Sequence, residues 1–504
     1  MWNLDGPILF ALIASPTALG TSALMLRGRA DGLIGRLGVL TSSAGFLAAV
    51  WFTVRIANGG DVAPVGGGMP ALTVDPVSTV LLLLVFGISA VVQQFARRYL
   101  AADTRAGWFF AGANLLTAAS VGLATANTLV AVAAAWTAAG LALCLLLGTY
   151  WHLSAARDGV RRAATAFAIG DAALWIAVGV VTARSGPVEL GDIGEDGGWS
   201  AAVVAMLVVI AALSRSAQIP FHSWLPATLA APTPVSALLH AGVVNGGGIL
   251  LLRLSPLSTA GVAVAVLLAV GVAGMLYGSV LALTKPDIKG ALTYSTMAQM
   301  GFMMFTIGLG LWAAALIHLV AHGCYKATLF LSSGSAIAHH RRMAAIPTVS
   351  PPTGHRRAAM LLTAALLPAV ALTAAALLAP GVNKHGSGLA LLVFAWVTGA
   401  TVTWSWLRRN AGLRAVLVAA ALLVPAALGY LAVIGAVTAY LAAALPPEPL
   451  SARAVALTAA TALIMLAGVA AIRWSPRWTE LHRGFYARAL GAGYLDPQPM
   501  GARL

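Results

Sequence analysis

Runs of about twenty apolar residues follow one another along almost the whole chain, each long enough to cross a bilayer as a helix. No soluble architecture can bury so many. Composition agrees: of 504 residues, 60% are hydrophobic and only 9% are charged, where a soluble domain carries about 25% charged residues. Disorder needs the opposite balance, and a β-barrel needs alternation rather than unbroken runs. The sequence therefore predicts an all-α polytopic membrane protein with about fifteen transmembrane helices. They fall near 7–26, 32–54, 74–95, 107–125, 127–150, 164–183, 199–214, 232–252, 260–283, 289–309, 312–335, 357–379, 387–407, 415–443 and 454–472. The first run is too long for a signal-peptide core and lacks a basic segment before it, so no cleavable signal is expected.

The net charge is +15. In a soluble protein it would suggest nucleic acid, but here the bases sit in short loops between apolar runs, and no nucleic-acid partner is expected. Arg27, Arg29 and Arg36 follow the first run, and Arg97, Arg98 and Arg105 the third. Arg157, Arg161 and Arg162 follow the fifth, Lys285 and Lys289 the ninth, Arg341, Arg342, Arg356 and Arg357 the eleventh, and Arg408, Arg409 and Arg414 the thirteenth. The intervening loops carry Asp61, Glu189, Asp192, Glu195, Asp196 and Glu448. Positive loops stay in the cytoplasm, which puts the N-terminus outside and the C-terminus inside a bacterial plasma membrane. The tail from Arg473 mixes bases and aromatics and reads as an interfacial anchor on membrane lipid.

Ionisable groups inside spans are costly and mark function by default. Asp171 lies in AFAIGDAALWIAV. Two readings are open for it: a salt bridge to Arg161 or Arg162 near the inner surface, or a part in ion transfer. Arg215 opens a segment with Pro220, Pro226, Pro232 and Pro234. Four prolines so close together predict a broken or re-entrant helix, tolerated at membrane depth only where protein or a watery cavity surrounds it. His240 follows in SALLHAGVV. By itself a buried histidine often does no more than bond a carbonyl. A second cluster raises its weight: His318, His322 and Lys326 are spaced i, i+4, i+8 and fall on one helix face. Histidine titrates near neutrality and a desolvated lysine can lose its proton, so the stripe suits proton passage. Two histidines at i, i+4 can also bind zinc, but no glutamate base and no third ligand accompany them, and no metal is expected. In KPDIKGALTYSTMAQMGFMMF, Lys289 and the hydroxyls of Tyr294, Ser295 and Thr296 suggest a second helix interruption. The rival reading has the hydroxyls bonding back to their own helix. Cys144 and Cys324 lie in apolar runs without a CxxC spacing, which excludes disulfide frameworks and iron–sulfur sites.

The blocks AQIPFHSWLPATLAAPTPVSALLHAG, DIKGALTYSTMAQMGFMMF and HLVAHGCYKATLFLSSGS resemble the proton-conducting antiporter-like subunits of respiratory complex I and Mrp antiporters. The resemblance runs from about Asp75 to Ile337. It implies two inverted five-helix repeats with broken helices, and a chain divided into N-terminal helices at 1–73, an antiporter-like core at 74–379, C-terminal helices at 380–472 and a basic cytoplasmic tail at 473–504. It also implies that Lys326 is the channel residue of the second repeat and that Arg215 occupies the slot of the first-repeat lysine. His240, His318 and His322 then match central-axis histidines, and Asp171 a sixth-helix aspartate.

Two departures stand out. Thr137 occupies the place of a glutamate that pairs with the first-repeat lysine in redox-coupled relatives, and the lysine itself is Arg215, which does not deprotonate. No long lateral helix is evident after the core. With the wording PFHSWLP, HAGVVNGGG, QMGFM and AHGCYKA, these departures resemble the DabB membrane subunits of two-component inorganic-carbon accumulation systems, in which Cys144 stands where a histidine is usual. The resemblance implies a transporter subunit rather than an enzyme, with no cofactor in this chain. Its partner would be a large soluble DabA-like zinc protein, driven by proton or sodium flow to convert CO2 to bicarbonate. The alternative is a proton-pumping quinone oxidoreductase subunit L-like chain or an Mrp-type antiporter subunit.

Overall fold

The computed structural model describes residues 5–26, 28–60, 62, 71–186, 188–192, 199–258, 261–335, 354–378, 386–410, 412–446, 456–457 and 460–461. The expected span at 454–472, the tail from Arg473, and Arg27, Asp61, Glu195, Asp196, Arg341, Arg342 and Glu448 lie wholly or mostly outside them. The described residues form fifteen α-helices with short 3-10 turns, and no strand beyond isolated bridges at Leu72–Ala126 and Thr128–Glu189. Eleven stretches among them are long and apolar enough to cross a membrane.

In chain order the helices are α1 (Asp5–Leu26), α2 (Asp31–Ala57), α3 (Pro76–Tyr99), α4 (Ala106–Thr125), α5 (Leu129–Leu147) and α6 (Ser154–Ser185). There follow α7 (Trp199–Arg215), α8 (Thr233–Ala241), α9 (Gly246–Arg253), α10 (Gly261–Thr284), α11 (Ile288–Gly308) and α12 (Trp312–Leu331). The last three are α13 (Gly354–Leu378), α14 (Gly386–Arg409) and α15 (Leu413–Leu441). They fall into two compact units. The first holds described residues up to Leu309 with His318–Ser333, and the second holds Gly310–Ile317 with those between Gly334 and Trp474.

Local chemistry sets the helix starts. Asp75 caps α3 by accepting the Ser78 N–H at 2.7 Å, with Pro76 in the first turn. Thr128 and Asp287 cap α5 and α11 in the same way, accepting the N–H groups of Ala131 and Gly290. Helix α6 has 32 residues, about 48 Å at 1.5 Å per residue, and begins ten residues before the apolar run. Its first turns are amphipathic: Arg161 and Arg162 pair with Asp158 on the helix itself, so the helix continues where hydropathy stops.

Two clusters of connections define the faces of the first unit. On one, Asn127 bonds Glu189 and Ala71, and Arg253 bonds Asp75 at 2.7 Å and also the Ala126 carbonyl. On the other, Tyr150 donates to Asp103 at 2.6 Å, the Gly107 N–H to Asp31 at 2.9 Å, and Lys289 to the Ala231 carbonyl at 2.9 Å. The basic stretches around 29–36, 97–105 and 285–289 border the second cluster, and the connections around Asp75, Asn127 and Glu189 border the first.

In the second unit α13 packs against α14 and α15. Trp396 donates to Ala365 O, Trp406 to Ala415 O and Tyr430 to Leu391 O, at 2.8, 3.0 and 2.9 Å. Each indole or phenol thereby satisfies its polar end within an otherwise apolar contact.

Candidate functional site: a line of buried charged groups

Helix α7 stops at Arg215 because Ala217 turns the chain into the left-handed region at φ 50°. Two 3-10 turns follow, Phe221–Trp224 and Pro226–Ala230, before α8 begins. A third, Val243–Asn245, separates α8 from α9. The interruption expected from the prolines is present, and neighbouring side chains satisfy the backbone groups it frees. Trp224 donates to Ser214 O at 2.9 Å, Ser216 to Val244 O at 2.8 Å, and Gln218 to both Ser216 O and Met297 O at 3.1 Å. Such compensation is what non-helical backbone at membrane depth requires.

Arg215 is 1% exposed. Its Nη2 lies 2.9 Å from Asp171 Oδ1, and its Nη1 donates to the Trp136 carbonyl at 3.2 Å. The guanidinium carbon sits 4.3 Å from the Trp136 ring centre and 4.4 Å from that of Phe167, a cation between two π faces. Gly140 makes the space: a Cβ there would lie 2.9 Å from Nη2. Asp171 therefore belongs to Arg215, and the alternative partners Arg161 and Arg162 are taken by Asp158. That corrects the surface salt-bridge reading. A buried guanidinium is the stronger electrostatic demand, and Phe167 and Asp171, four apart on α6, present one face to it. Thr137 accepts from Trp175 Nε1 at 3.1 Å, and Cys144 lies within electrostatic reach of Arg215 and Asp171.

The second cluster gathers on α8, α11 and α12. Lys326, also 1% exposed, donates to Leu292 O at 3.0 Å and to Ser295 Oγ. Among the described residues it has no carboxylate within salt-bridge distance. His322 lies one turn earlier, 4% exposed, with neither ring nitrogen bonded to protein. Its ring stacks near that of His318 with centres 5.9 Å apart, and His318 bonds the Gln299 backbone. His240 stacks on Phe330 at 4.4 Å and is within electrostatic reach of His322, Lys326 and Lys289. The stripe on α12 thus lies on one buried face, and α8 brings His240 to it.

Helix α11 is continuous through Tyr294–Thr296, which corrects the second expected interruption. Thr293, Ser295 and Thr296 bond back to Lys289 O and Leu292 O at 2.8–3.0 Å. Back-bonding spends the hydroxyls within the helix and frees no backbone group. Lys289 reaches the interrupted segment rather than the histidines, donating to Ala231 O. Trp136 and Gly140 were not legible as site residues. Phe167 could have been found from its i, i+4 spacing to Asp171.

A helical bundle with an interrupted span and buried charges on adjoining helices defines a multi-pass membrane subunit of the antiporter type. Residues 126–407 match the family described as NADH:quinone oxidoreductase/Mrp antiporter, TM, and residues 70–110 match NADH-Ubiquinone oxidoreductase (complex I), chain 5 N-terminus. The chain is 34% identical over 412 residues to the probable inorganic carbon transporter subunit DabB1 of Halothiobacillus neapolitanus, covering 76% of this chain and 74% of that protein. It is 34% identical over 365 residues to the probable inorganic carbon transporter subunit DabB of Bacillus subtilis, covering 70% and 68%. NAD(P)H-quinone oxidoreductase chain 5 of Synechocystis is 33% identical over 276 residues, covering 52% of this chain and 40% of that protein. The solved Mrp complex from Dietzia shares the fold, with TM-score 0.63 and 23% identity over 96% of this chain and 59% of that one. The chain belongs to the DabB family of membrane subunits, within the NADH:quinone oxidoreductase/Mrp antiporter family.

Proposed function

We propose that this chain is the cation-coupled membrane subunit of a two-component inorganic-carbon uptake complex, seated in a bacterial plasma membrane. Its partner is a soluble DabA-like zinc protein that hydrates CO2 to bicarbonate and a proton. In this reading the chain is a transporter subunit rather than an enzyme and holds no cofactor or metal of its own, and the antiporter-like core spans 74–379. Among the described residues no group of three His, Cys, Asp or Glu side chains is placed to hold a metal.

One observation carries the reading: the two buried cations are treated differently. Arg215 is neutralised by Asp171 at 2.9 Å and sandwiched between rings, and a guanidinium keeps its proton. Lys326 has only a carbonyl and a hydroxyl, beside an imidazole with both nitrogens unbonded in the protein. Proton exchange is therefore concentrated at Lys326, His322, His318 and His240, while the Asp171–Arg215 pair holds the interrupted helix. Because the first-half pair cannot exchange a proton at the arginine, the geometry favours a gradient-driven DabB-type role over a redox-driven pump or Mrp-type exchange, where a lysine would cycle in each half.

The test is growth of a strain that lacks carbonic anhydrase and requires high CO2. Co-expression of this chain with a DabA-like zinc protein should restore growth in air. Either protein alone should not, and a protonophore should abolish uptake of labelled inorganic carbon. No growth from the co-expressed pair would overturn the assignment.

Orientation has its own check. Gly191 and Thr104 are exposed at opposite ends of the first unit. In a background without Cys144 and Cys324, Gly191→Cys should react with an impermeant maleimide added to intact cells, and Thr104→Cys should not. The reverse pattern would invert the topology.

A further inference from the structure

Helices α2, α3 and α4 bury a polar chain that the charged line does not use. Ser42 and Ser89 hydroxyls meet at 3.0 Å, and Ser89 meets the Thr117 hydroxyl at 2.8 Å. In both contacts either oxygen can donate. Gln93 Nε2 donates to Ser89 at 3.0 Å and to Ser42 at 3.3 Å, and Asn114 Nδ2 donates to Gln93 Oε1 at 3.3 Å. None of the five is more than 3% exposed, and Asn114 Oδ1 is buried without a hydrogen-bond partner in the protein. Packing alone does not ask for this. Hydrogen bonds between such side chains do help membrane helices associate, but association does not call for a buried acceptor left unpaired, which costs free energy, nor for hydroxyls that open onto a cavity.

Both ends of the chain lead somewhere. Ser89 and Thr117, with Ser120, line a cavity of about 60 Å³ whose wall also includes Arg215. That volume accommodates water, which needs roughly 10–15 Å³ of such space per molecule and polar partners. The partners here are the hydroxyls of Ser89, Thr117 and Ser120 and the Arg215 guanidinium, in a wall that is otherwise apolar. At the other end Asn114 lies two turns into α4, close to Gly38 of α2, where a Cβ would lie 2.2 Å from Gln93 Oε1. One turn further out, the Phe110 ring fills the space against Gly35. Beyond it Asp31 accepts the Gly107 N–H at the face where the basic loops meet.

We propose that Ser42, Ser89, Gln93, Asn114 and Thr117 form a water-filled proton branch joining the Arg215 cavity to the Asp31 end of α2, with Phe110 as its closed point. A proton is favoured over a metal cation because no carboxylate faces the cavity and Arg215 would repel a bare ion. The hydroxyls of Ser42, Ser89 and Thr117 can both donate and accept and need only reorient to pass a proton on. The amides of Gln93 and Asn114 cannot, because their NH2 groups only donate and their oxygens only accept. Past them the proton is carried by water held at Asn114 Oδ1. The role of the branch in coupling rests on the transport reading above, whereas the presence of water in it does not.

Silver ions report on narrow aqueous paths, because they react with thiols only where water carries them. In full-length protein lacking Cys144 and Cys324, Ser89→Cys and Thr117→Cys are nearly isosteric changes. Silver treatment of native membranes should protect both from alkylation after denaturation. Val91→Cys, on the 57% exposed outer face of α3, is the lipid-facing control and should stay unprotected. Phe110→Ala should speed protection of Ser89→Cys at least tenfold. Protection of Ser89→Cys no faster than that of Val91→Cys would show dry packing and overturn the branch. A rate unchanged by Phe110→Ala would overturn the gate. If silver enters a chain that drives no uptake, the transport reading fails and the branch stands. A dry network in a working transporter refutes only the branch.

Discussion

Lys326→Ala should abolish growth in air of the co-expressing strain while leaving a normal amount of protein in the membrane. The side chain is 1% exposed and is held by one carbonyl and one hydroxyl, with no carboxylate in reach among the described residues. A buried ammonium without a counter-charge costs several kcal/mol, so the fold does not depend on it and alanine removes a burden. What alanine also removes is the proton donor next to His322. Lys326→Arg should fail equally, because a permanently protonated guanidinium cannot relay a proton. Western blotting against growth separates the two effects. Normal growth of a stably expressed Lys326→Ala strain would rule out Lys326 as the coupling residue and leave the histidines His240, His318 and His322 to carry it.

Asp171→Asn should act through stability first. It strips the counter-charge from a guanidinium that is 1% exposed and has two rings against its faces. Breaking a buried pair from one side costs about 3–5 kcal/mol, which is comparable to a large part of a protein's whole stability. Little protein should reach the membrane, and what does should melt earlier in detergent. The double change Asp171→Asn with Arg215→Gln should recover much of the lost amount, since no charge is then stranded. Thr137→Ala should be far milder: its hydroxyl accepts an indole N–H and also bonds Asp171, but it carries no charge, so its loss leaves the ion pair in place and growth nearly unchanged. An Asp171→Asn protein with wild-type abundance and melting temperature would show that the pair does not anchor the interrupted helix.

The sequence by itself determined the membrane, the helices and the charged stripe. Apolar run length dictates spanning helices because an unpaired backbone group in lipid is too costly for any other local structure. Four prolines near Arg215 dictate an interruption because each lacks an N–H. His318, His322 and Lys326 share a face because four residues make nearly one full turn. All these are local rules, readable from spacing alone. Which groups meet across helices was not local. Asp171 could have turned to Arg161 or to Arg215, and only the packing of α6 on α7 decided for the arginine 44 positions away. The hydroxyls of α11 could have served a break or their own helix, and the continuous helix, with Lys326 bonded to Leu292 O and Ser295, decided that too. The chain of Ser42, Ser89, Gln93, Asn114 and Thr117 left no mark in the sequence, since small polar residues in separate spans become a network only when their helices touch. A buried charge accepts whichever partner the fold brings within 3 Å, and that distance is a property of the tertiary structure.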